Sequence, residues 1–205
     1  MKYIPAYILL LYLLIAAVII TDADGQVITA VRDTMYRVEL HAEGGPFISD
    51  FVRGRSLPLG AKNPTLGYNA TFRVMWHPDH LLAVGILTGY QQIVAENYVV
   101  PDSASSGQVK ASLHTVPIML DVSMQGKLFE VGVGLGGYII STTLDDGRIS
   151  HASRLELGAI FHAAHHWQIT DNLFIGAEAI LSMTSYRGIL SVAPQIDVKY
   201  NLLTY

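Results

Sequence analysis

The stretch 66–76, LGYNATFRVMW, is decided by its period. Leu66, Tyr68, Ala70, Phe72, Val74 and Trp76 fall on one face of an extended chain, and Gly67, Asn69, Thr71, Arg73 and Met75 on the other. A helix would scatter those apolar residues around its circumference, whereas successive side chains of a strand point to opposite faces. The segment is therefore a strand with one apolar and one polar face, and the remaining question is which face meets water.

Working outward, the same alternation predicts seven more strands, near 35–48, 80–96, 108–124, 127–142, 151–168, 172–186 and 190–205. Their apolar faces hold, among others, Leu40, Ile86, Leu120, Val133, Leu157, Ala177 and Val198. Pro194 lies on the last of these faces and lacks the N–H of a ladder bond, so a bulge or local irregularity is expected there. Three connections, at His77–His80, Gln125–Lys127 and Thr170–Asn172, are short and rich in turn formers. Others, near 49–64, 97–107 and 143–150, are longer, and a short one lies at Tyr186–Ile189. Short turns at one end and longer loops at the other is the plan of an outer-membrane barrel.

Composition narrows the class. Of 205 residues, 51% are hydrophobic and only 15% charged, where about 25% charge is ordinary for a soluble domain. Such a chain is not disordered, and beyond residue 20 no apolar run approaches the ~20 residues of a spanning helix. A net charge of −4 advertises no nucleic-acid surface, and the absence of Cys removes disulfides and thiolate metal sites. Residues 1–25 have the layout of a secretory signal peptide: Lys2, an apolar run from Ile4 to Ile20, then small and acidic residues, with cleavage expected before Gln26. Residues 26–205 then form an exported barrel, expected in the outer membrane of a bacterial cell.

The polar faces carry Arg37, Glu39, His41, Glu43, Arg73, Asp121, Glu130, Arg154, Glu156, Glu178, Asp197 and Lys199. A soluble barrel would turn these outward; a membrane barrel encloses them. Two features select enclosure. The apolar faces are almost free of charge. Aromatic residues also gather near strand ends as two interfacial girdles: Tyr36, Trp76, Phe129, Trp167, Phe174, Tyr200 and Tyr205 at the turn end, and Tyr68, Tyr90, Tyr98, Tyr138 and Tyr186 at the loop end. The expected fold is all-β, an eight-stranded antiparallel up-and-down transmembrane β-barrel, its lumen filled by paired charges because eight strands enclose only enough room for side chains. Buried unpaired charge costs several kcal/mol per ion, so the network is expected to be close to saturated.

On three stretches the chain resembles the small outer-membrane β-barrel proteins related to the transmembrane domain of outer-membrane protein A. The hairpin 114–138, HTVPIMLDVSMQGKLFEVGVGLGGY, looks like that family's proline-containing strand, tight turn and glycine-rich strand. Leu82–Tyr90 is similar to its third strand, and Tyr205 to the terminal aromatic read by the barrel-assembly machinery. The terminal pattern departs from the family's, because Leu203 and Tyr205 alternate with Asn201 and Lys199; a bulge or a register change is expected near Leu202–Leu203. The resemblance implies a fold, an address and the assembly machinery as a partner, and no catalytic residues.

Other motifs read blandly. Gly132-Val-Gly134-Leu-Gly136-Gly137 matches a dinucleotide fingerprint by letter, but it lies inside a strand and not before a helix; its glycines make room in the lumen for long side chains. Of His77, His80, His162, His165 and His166, the pairs His77/His80 and His165/His166 lie at two different turns on opposite sides of the ring, so these imidazoles read as interfacial residues, not as metal ligands. His151 and Ser153 share a strand face and, with Asp145 or Asp146, could serve a lipid hydrolase, although loop-edge polarity is the simpler reading. Asn69-Ala-Thr71 is a glycosylation sequon that should face the lumen. No catalytic, cofactor or metal site is assigned. Expected partners are outer-membrane lipid and the assembly machinery, not nucleic acid, and the barrel is expected to be a monomer. A structural or surface-interaction role leads, with a narrow pore or small-molecule passage as one alternative and an outer-membrane lipid-modifying enzyme as another.

This reading places Phe72, Val133, Leu157 and Ala177 outward and Arg73, Glu130, Arg154 and Glu178 inward; a slip of one residue would reverse every assignment in its strand. A charged substitution at Val133 should block folding into bilayers, since a midplane Arg or Lys costs about 2–4 kcal/mol; Gly132→Ser, by contrast, should be mild. Cysteine scanning across 129–136 with a lipid-phase label should mark the odd-numbered positions, and labelling of the even ones would exchange inside and outside.

Overall fold

The computed structural model describes residues 36–51, 65–78, 82–99, 108–126, 129–145, 149–185 and 188–204. The leader 1–25, His80, Asp146, Tyr186, Tyr205 and the side chain of Tyr98 lie outside them. Eight strands form: β1 Arg37–Phe51, β2 Thr65–His77, β3 Leu82–Val99, β4 Gln108–Gln125, β5 Glu130–Asp145, β6 Ile149–Gln168, β7 Leu173–Thr184 and β8 Ile189–Thr204. Each pairs antiparallel with its chain neighbour, and β8 returns to β1 to close the barrel. All eight expected strands are present, and within the ring the alternation of burial keeps one parity per strand as far as the bulge near Leu202.

The outward faces are the apolar ones. Leu66, Ile86, Leu120, Leu135, Leu157 and Ile196 are each 60% or more exposed, whereas Arg73 and Asp121 on the opposite faces are fully buried. Phe72 and Leu157 stand outward; Arg73, Glu130 and Glu178 are buried inside. The turn end is closed tightly, with Gly126 N donating to Phe129 O at 2.8 Å and Ile169 N to Leu173 O at 2.9 Å.

At the loop end the ring is uneven. Pairing between β2 and β3 ends at Tyr68 and Gln92, and pairing between β6 and β7 ends at Gly158 and Thr184. The ladders among β3, β4, β5 and β6 continue to Val99–Gln108, Lys110–Asp145 and Asp145–Ile149. A four-stranded sheet therefore projects past the rest of the ring. The loop expected over 143–150 is shorter than that, because Thr143 and Leu144 are still paired, with His151 and Ser150.

Both irregularities expected in β8 fall on its seam with β1. Near Leu202 the register shifts: Val38 pairs with Leu203 but Glu39 with Asn201, so one residue of β8 bulges and both Leu202 and Leu203 turn outward, 50% and 56% exposed. At Pro194 the register does not change. Pairing runs from Gly44–Ile196 to Ile48–Val192 and lapses between them, where Pro46 falls opposite Pro194 and neither residue has an N–H to give.

The lumen is packed in two storeys. The turn-end half holds charged and hydrogen-bonding side chains. The loop-end half is a hydrophobic core of Phe47, Leu87, Ile93, Met119, Tyr138, Ile140, Ile160, Ile180, Ile189 and Ala193. The charge reading of the lumen did not anticipate this apolar storey, although its members share inward parity with the charges. Tyr138 is the clearest correction: it is 0% exposed and inside, not in an interfacial girdle. Its even number on β5 gives it the parity of Glu130, and Gly158 across the ladder leaves room for its ring; a Cβ there would meet Tyr138 Cε2 at 2.4 Å.

The expectation for Gly132 is also overturned. A Cβ at this position would lie 2.2 Å from His162 Nε2 and 2.9 Å from Ser123 Cβ, so the imidazole would be driven from its place. At Gly134 the nearest atom, Met119 Cβ, is 3.3 Å away. Gly132→Ala should therefore lower folded stability by roughly 1–3 kcal/mol, the usual cost of overpacking, and Gly134→Ala by less. Urea unfolding in detergent micelles, followed by the heat-modifiable gel shift, would rank the two.

Candidate functional site: the charged storey of the lumen

The site is built around Arg73, midway along β2 and 0% exposed. Its guanidinium meets carboxylates from four other strands. Nε donates to Glu43 of β1 in a short bond, and Nη2 donates to Glu178 Oε1 of β7 at 2.9 Å. Asp121 Oδ2 of β4 lies 3.6 Å from Nη1, and Asp197 Oδ2 of β8 lies 3.8 Å from Nη2. A planar fork with five N–H donors spread over three nitrogens can reach acceptors on several sides at once, whereas an ammonium offers three from a single point.

Neutral groups complete this layer. Thr71 donates to Glu43 Oε2 at 2.6 Å, and Gln195 Nε2 donates to both Glu43 Oε2 and Glu178 Oε2, at 3.0 and 2.9 Å. Asn69 Nδ2 donates to Gln195 Oε1 at 2.8 Å, which accounts for both polar residues of the sequon facing inward. His162 of β6 lies between two carboxylates, Nε2 at 3.1 Å from Asp121 Oδ2 and Nδ1 at 3.1 Å from Glu178 Oε1.

Nearer the turns a second group gathers around Glu39. His77 Nε2 lies 2.7 Å from Glu39 Oε2 and Arg37 Nε 2.6 Å from Oε1, while His41 Nε2 and Lys199 Nζ stand off at 3.5 and 3.7 Å. Arg37 also donates through Nη2 to Gln125. Lys199 Nζ is 3.8 Å from Glu130 Oε2 and 5.1 Å from the centre of the Phe174 ring. Asp197 joins the two layers: Oδ2 is 2.9 Å from His41 Nδ1 and 2.6 Å from His166 Nε2.

Of the charges assigned to the lumen, Glu39, Glu43, Arg73, Asp121, Glu130, Glu178, Asp197 and Lys199 are buried together, and Arg37 sits at the rim, 28% exposed. Arg154 and Glu156 are not part of the cluster. They pair with each other at 3.4 Å on the projecting part of β6, with side chains 46% and 25% exposed. Sequence reasoning missed the imidazoles: His77, His162 and His166 are network members, not interfacial residues. Their parity on β2 and β6 was the available signal, since each shares it with an inward residue, Arg73 for His77 and Ala164 for the other two. His165 does point outward, packed on Phe129 and edge-on to Trp167 at 4.6 Å. Phe174, assigned to a girdle, has the inward parity of Glu178 and lies at the lumen mouth beside Lys199. The other turn-end aromatics, Tyr36, Trp76, Phe129, Trp167 and Tyr200, keep the outward parity of their strands; at the loop end Tyr68 and Tyr90 do so.

Saturation, expected for buried charges, is not reached. Both oxygens of Glu130, Oδ1 of Asp197 and Nε2 of His41 are buried without a hydrogen-bond partner. Three groupings of side chains could hold a cation: His41, His166 and Asp197; Glu39, His41 and Glu130; and Glu43, Glu178 and Asp197. The last already surrounds the Arg73 guanidinium. At the other end of the molecule, His151 is hydrogen-bonded through Nδ1 to the Thr143 hydroxyl at 3.0 Å, on the exposed tip of β6.

An eight-stranded closed ring, apolar outside and polar within, has solved counterparts. A major outer membrane protein from Thermus thermophilus superposes with a TM-score of 0.58 at 12% identity, covering 82% of this chain and 99% of that one. Ail, the attachment invasion locus protein of Yersinia pestis, solved with the heparin analogue sucrose octasulfate, gives 0.50 at 11% identity, covering 81% and 99%. The fold is that of the small outer-membrane β-barrels. No protein family and no curated protein matches the sequence itself.

Replacing Arg73 by Met would leave Glu43 and Glu178 buried without their cation, a loss of about 3–5 kcal/mol. Arg73→Lys should keep the charge but lose the fork, and fall between the two. Arg154→Met, at an exposed pair, should change stability by less than about 1 kcal/mol. Equilibrium urea unfolding of the three variants in micelles would test that order.

Proposed function

We propose that the chain is a bacterial outer-membrane barrel whose closed lumen makes it a structural element and a surface platform, not a conduit. The observation that carries this reading is the double seal. A water column would have to pass the charged storey and then Phe47, Leu87, Met119, Tyr138, Ile160 and Ile180, each 2% exposed or less. Opening the charged storey alone would lead only to an apolar core. This speaks against the narrow-pore alternative, which rested on rearranging charge pairs.

Location in the outer membrane is supported by the fold and by the outward faces. At roughly 25 cal/mol per Å², leaving so many large apolar side chains in water would be prohibitive, whereas lipid accepts them. Attachment to the assembly machinery through β8, a monomeric state and removal of the leader before Gln26 belong to the same proposal. The surface role is supported by the projecting sheet of β3 to β6, which stands above the ring and carries Arg154, Glu156, His151 and Ser153 at its exposed edge strand. For a lipid-modifying enzyme to be the better reading, His151 would have to serve Ser153; its hydrogen bond goes to Thr143 instead.

Purified protein reconstituted in planar bilayers should give no steady conductance, and in membrane fractions it should migrate as a heat-modifiable band. Stable single-channel steps would overturn the closed-lumen reading in favour of a pore. A change in lipid A on overproduction, lost in Ser153→Ala, would favour the enzyme.

A further inference from the structure

Among the described residues, six carboxylates are buried in the lumen: Glu39, Glu43, Asp121, Glu130, Glu178 and Asp197. Only Arg73 and Lys199 are buried cations, and Arg37 adds a third at the rim. Three negative charges therefore lack a permanent positive partner, and either protonated imidazoles or a bound cation must make up the difference. Several of the unsatisfied atoms fall together: His41 Nε2 and both oxygens of Glu130 belong to the group near the turns, while Asn69 Oδ1 and Tyr138 Oη lie elsewhere.

We infer that this group is a binding site for a first-row divalent transition cation such as zinc, held by His41 Nε2, Glu39 and Glu130. Asp197 sets the geometry. A carboxylate can only accept, so the His41–Asp197 contact of 2.9 Å places a hydrogen on Nδ1. In the neutral ring the lone pair then sits on Nε2, which is buried, unpartnered and 3.5 Å from Glu39 Oε2. Two acceptors facing each other at that distance repel unless a proton or a metal cation lies between them. A carboxylate behind the imidazole is the usual support of a histidine metal ligand, and His166 Nε2 in turn holds Asp197 at 2.6 Å.

Glu130 supplies the independent sign. It is 2% exposed, neither oxygen has a hydrogen bond, and its nearest cationic groups are Lys199 at 3.8 Å and His166 at 4.0 Å. One ligand atom each from Glu39, His41 and Glu130 lie within 4.8 Å of one another. Tetrahedral zinc with ligands at about 2.0–2.2 Å would draw them to roughly 3.4 Å apart, within reach of side-chain torsions. A divalent ion supplies two of the three missing positive charges and leaves one for a protonated imidazole. One imidazole with two carboxylates suits zinc and its neighbours better than magnesium or calcium, which prefer oxygen alone.

The test uses the full chain refolded in micelles, stripped with a chelator and dialysed against zinc chloride, with bound metal read by mass spectrometry and folding by the heat-modifiable gel. One zinc per chain is expected, together with an absorption-edge spectrum of nitrogen and oxygen ligands at about 2.0–2.2 Å and a raised urea midpoint. His41→Gln and Glu130→Gln should weaken binding by more than the roughly 10–100-fold that loss of a supporting carboxylate costs. His165→Gln, at an outward imidazole, should change nothing. If His41→Gln does not fold, Glu130→Gln decides, since it removes the charge and keeps the shape. Zinc at background level, retained by Glu130→Gln, or lost in His165→Gln would overturn the site and leave protonated imidazoles as the counter-charge.

Discussion

One buried guanidinium constrains the rest of the barrel. Arg73 on β2 is met by Glu43, Asp121, Glu178 and Asp197, so a single side chain ties β1, β4, β7 and β8 to β2 across the lumen. Backbone ladders join only neighbours. Contacts through the centre fix how strands on opposite sides sit, and they exist only if every contributing strand presents the right parity. A one-residue slip in β7, for instance, would bring Ala177 to Arg73 and turn Glu178 out. Register is therefore specified twice, by the apolar outside and by the charged inside.

The two storeys divide the energetic work. In the loop-end half, Phe47, Leu87 and the isoleucines fill the lumen without polar obligations, as in a soluble core, and the Tyr138 hydroxyl is the polar exception. In the turn-end half every group carries a desolvation cost that only good geometry offsets. Around Arg73 much of the offset is in place, with Thr71 and Gln195 donating to Glu43, Gln195 also to Glu178, and Asn69 to Gln195, while Asn69 Oδ1 and Asp197 Oδ1 stay unpartnered. Around Glu39 and Glu130 less of it is, and that contrast within one lumen separates a structural ion network from a region arranged for something further.

The barrel and its inside-out character were legible because period 2 recurs with the same composition in every strand, and because charge on only one face is a strong asymmetry. The lumen's contents were legible only as charge. Tyr138 was read by its type and its nearness to a strand end, yet parity places it inside, and Gly158 on the next strand makes room for it. The imidazoles failed for a related reason. A histidine near a turn suits an interface as well as a network, and what decides between them for His77 and His166 is a carboxylate from another strand, Glu39 or Asp197, which no local window contains. The cost of Gly132→Ser likewise depends on His162, thirty positions away in sequence but adjacent across the ladder.

The closing seam shows how the inside compensates the wall. β1 and β8 join the two ends of the described chain, and their ladder is interrupted twice, by the bulge at Leu202 and by the lapse where Pro46 faces Pro194. Lumen side chains bridge this same seam. His41 binds Asp197 on one side of the proline gap, Gln195 within the gap donates to Glu43, and Ser191 donates to Ser49 at 3.0 Å on the other side. Each such bond contributes about 0.5–1.5 kcal/mol, more where an ion takes part, comparable with the ladder bonds that the prolines remove. Closure thus depends on inward side chains where the backbone cannot supply it. The charged storey that fills the turn-end half also helps to hold the last strand to the first.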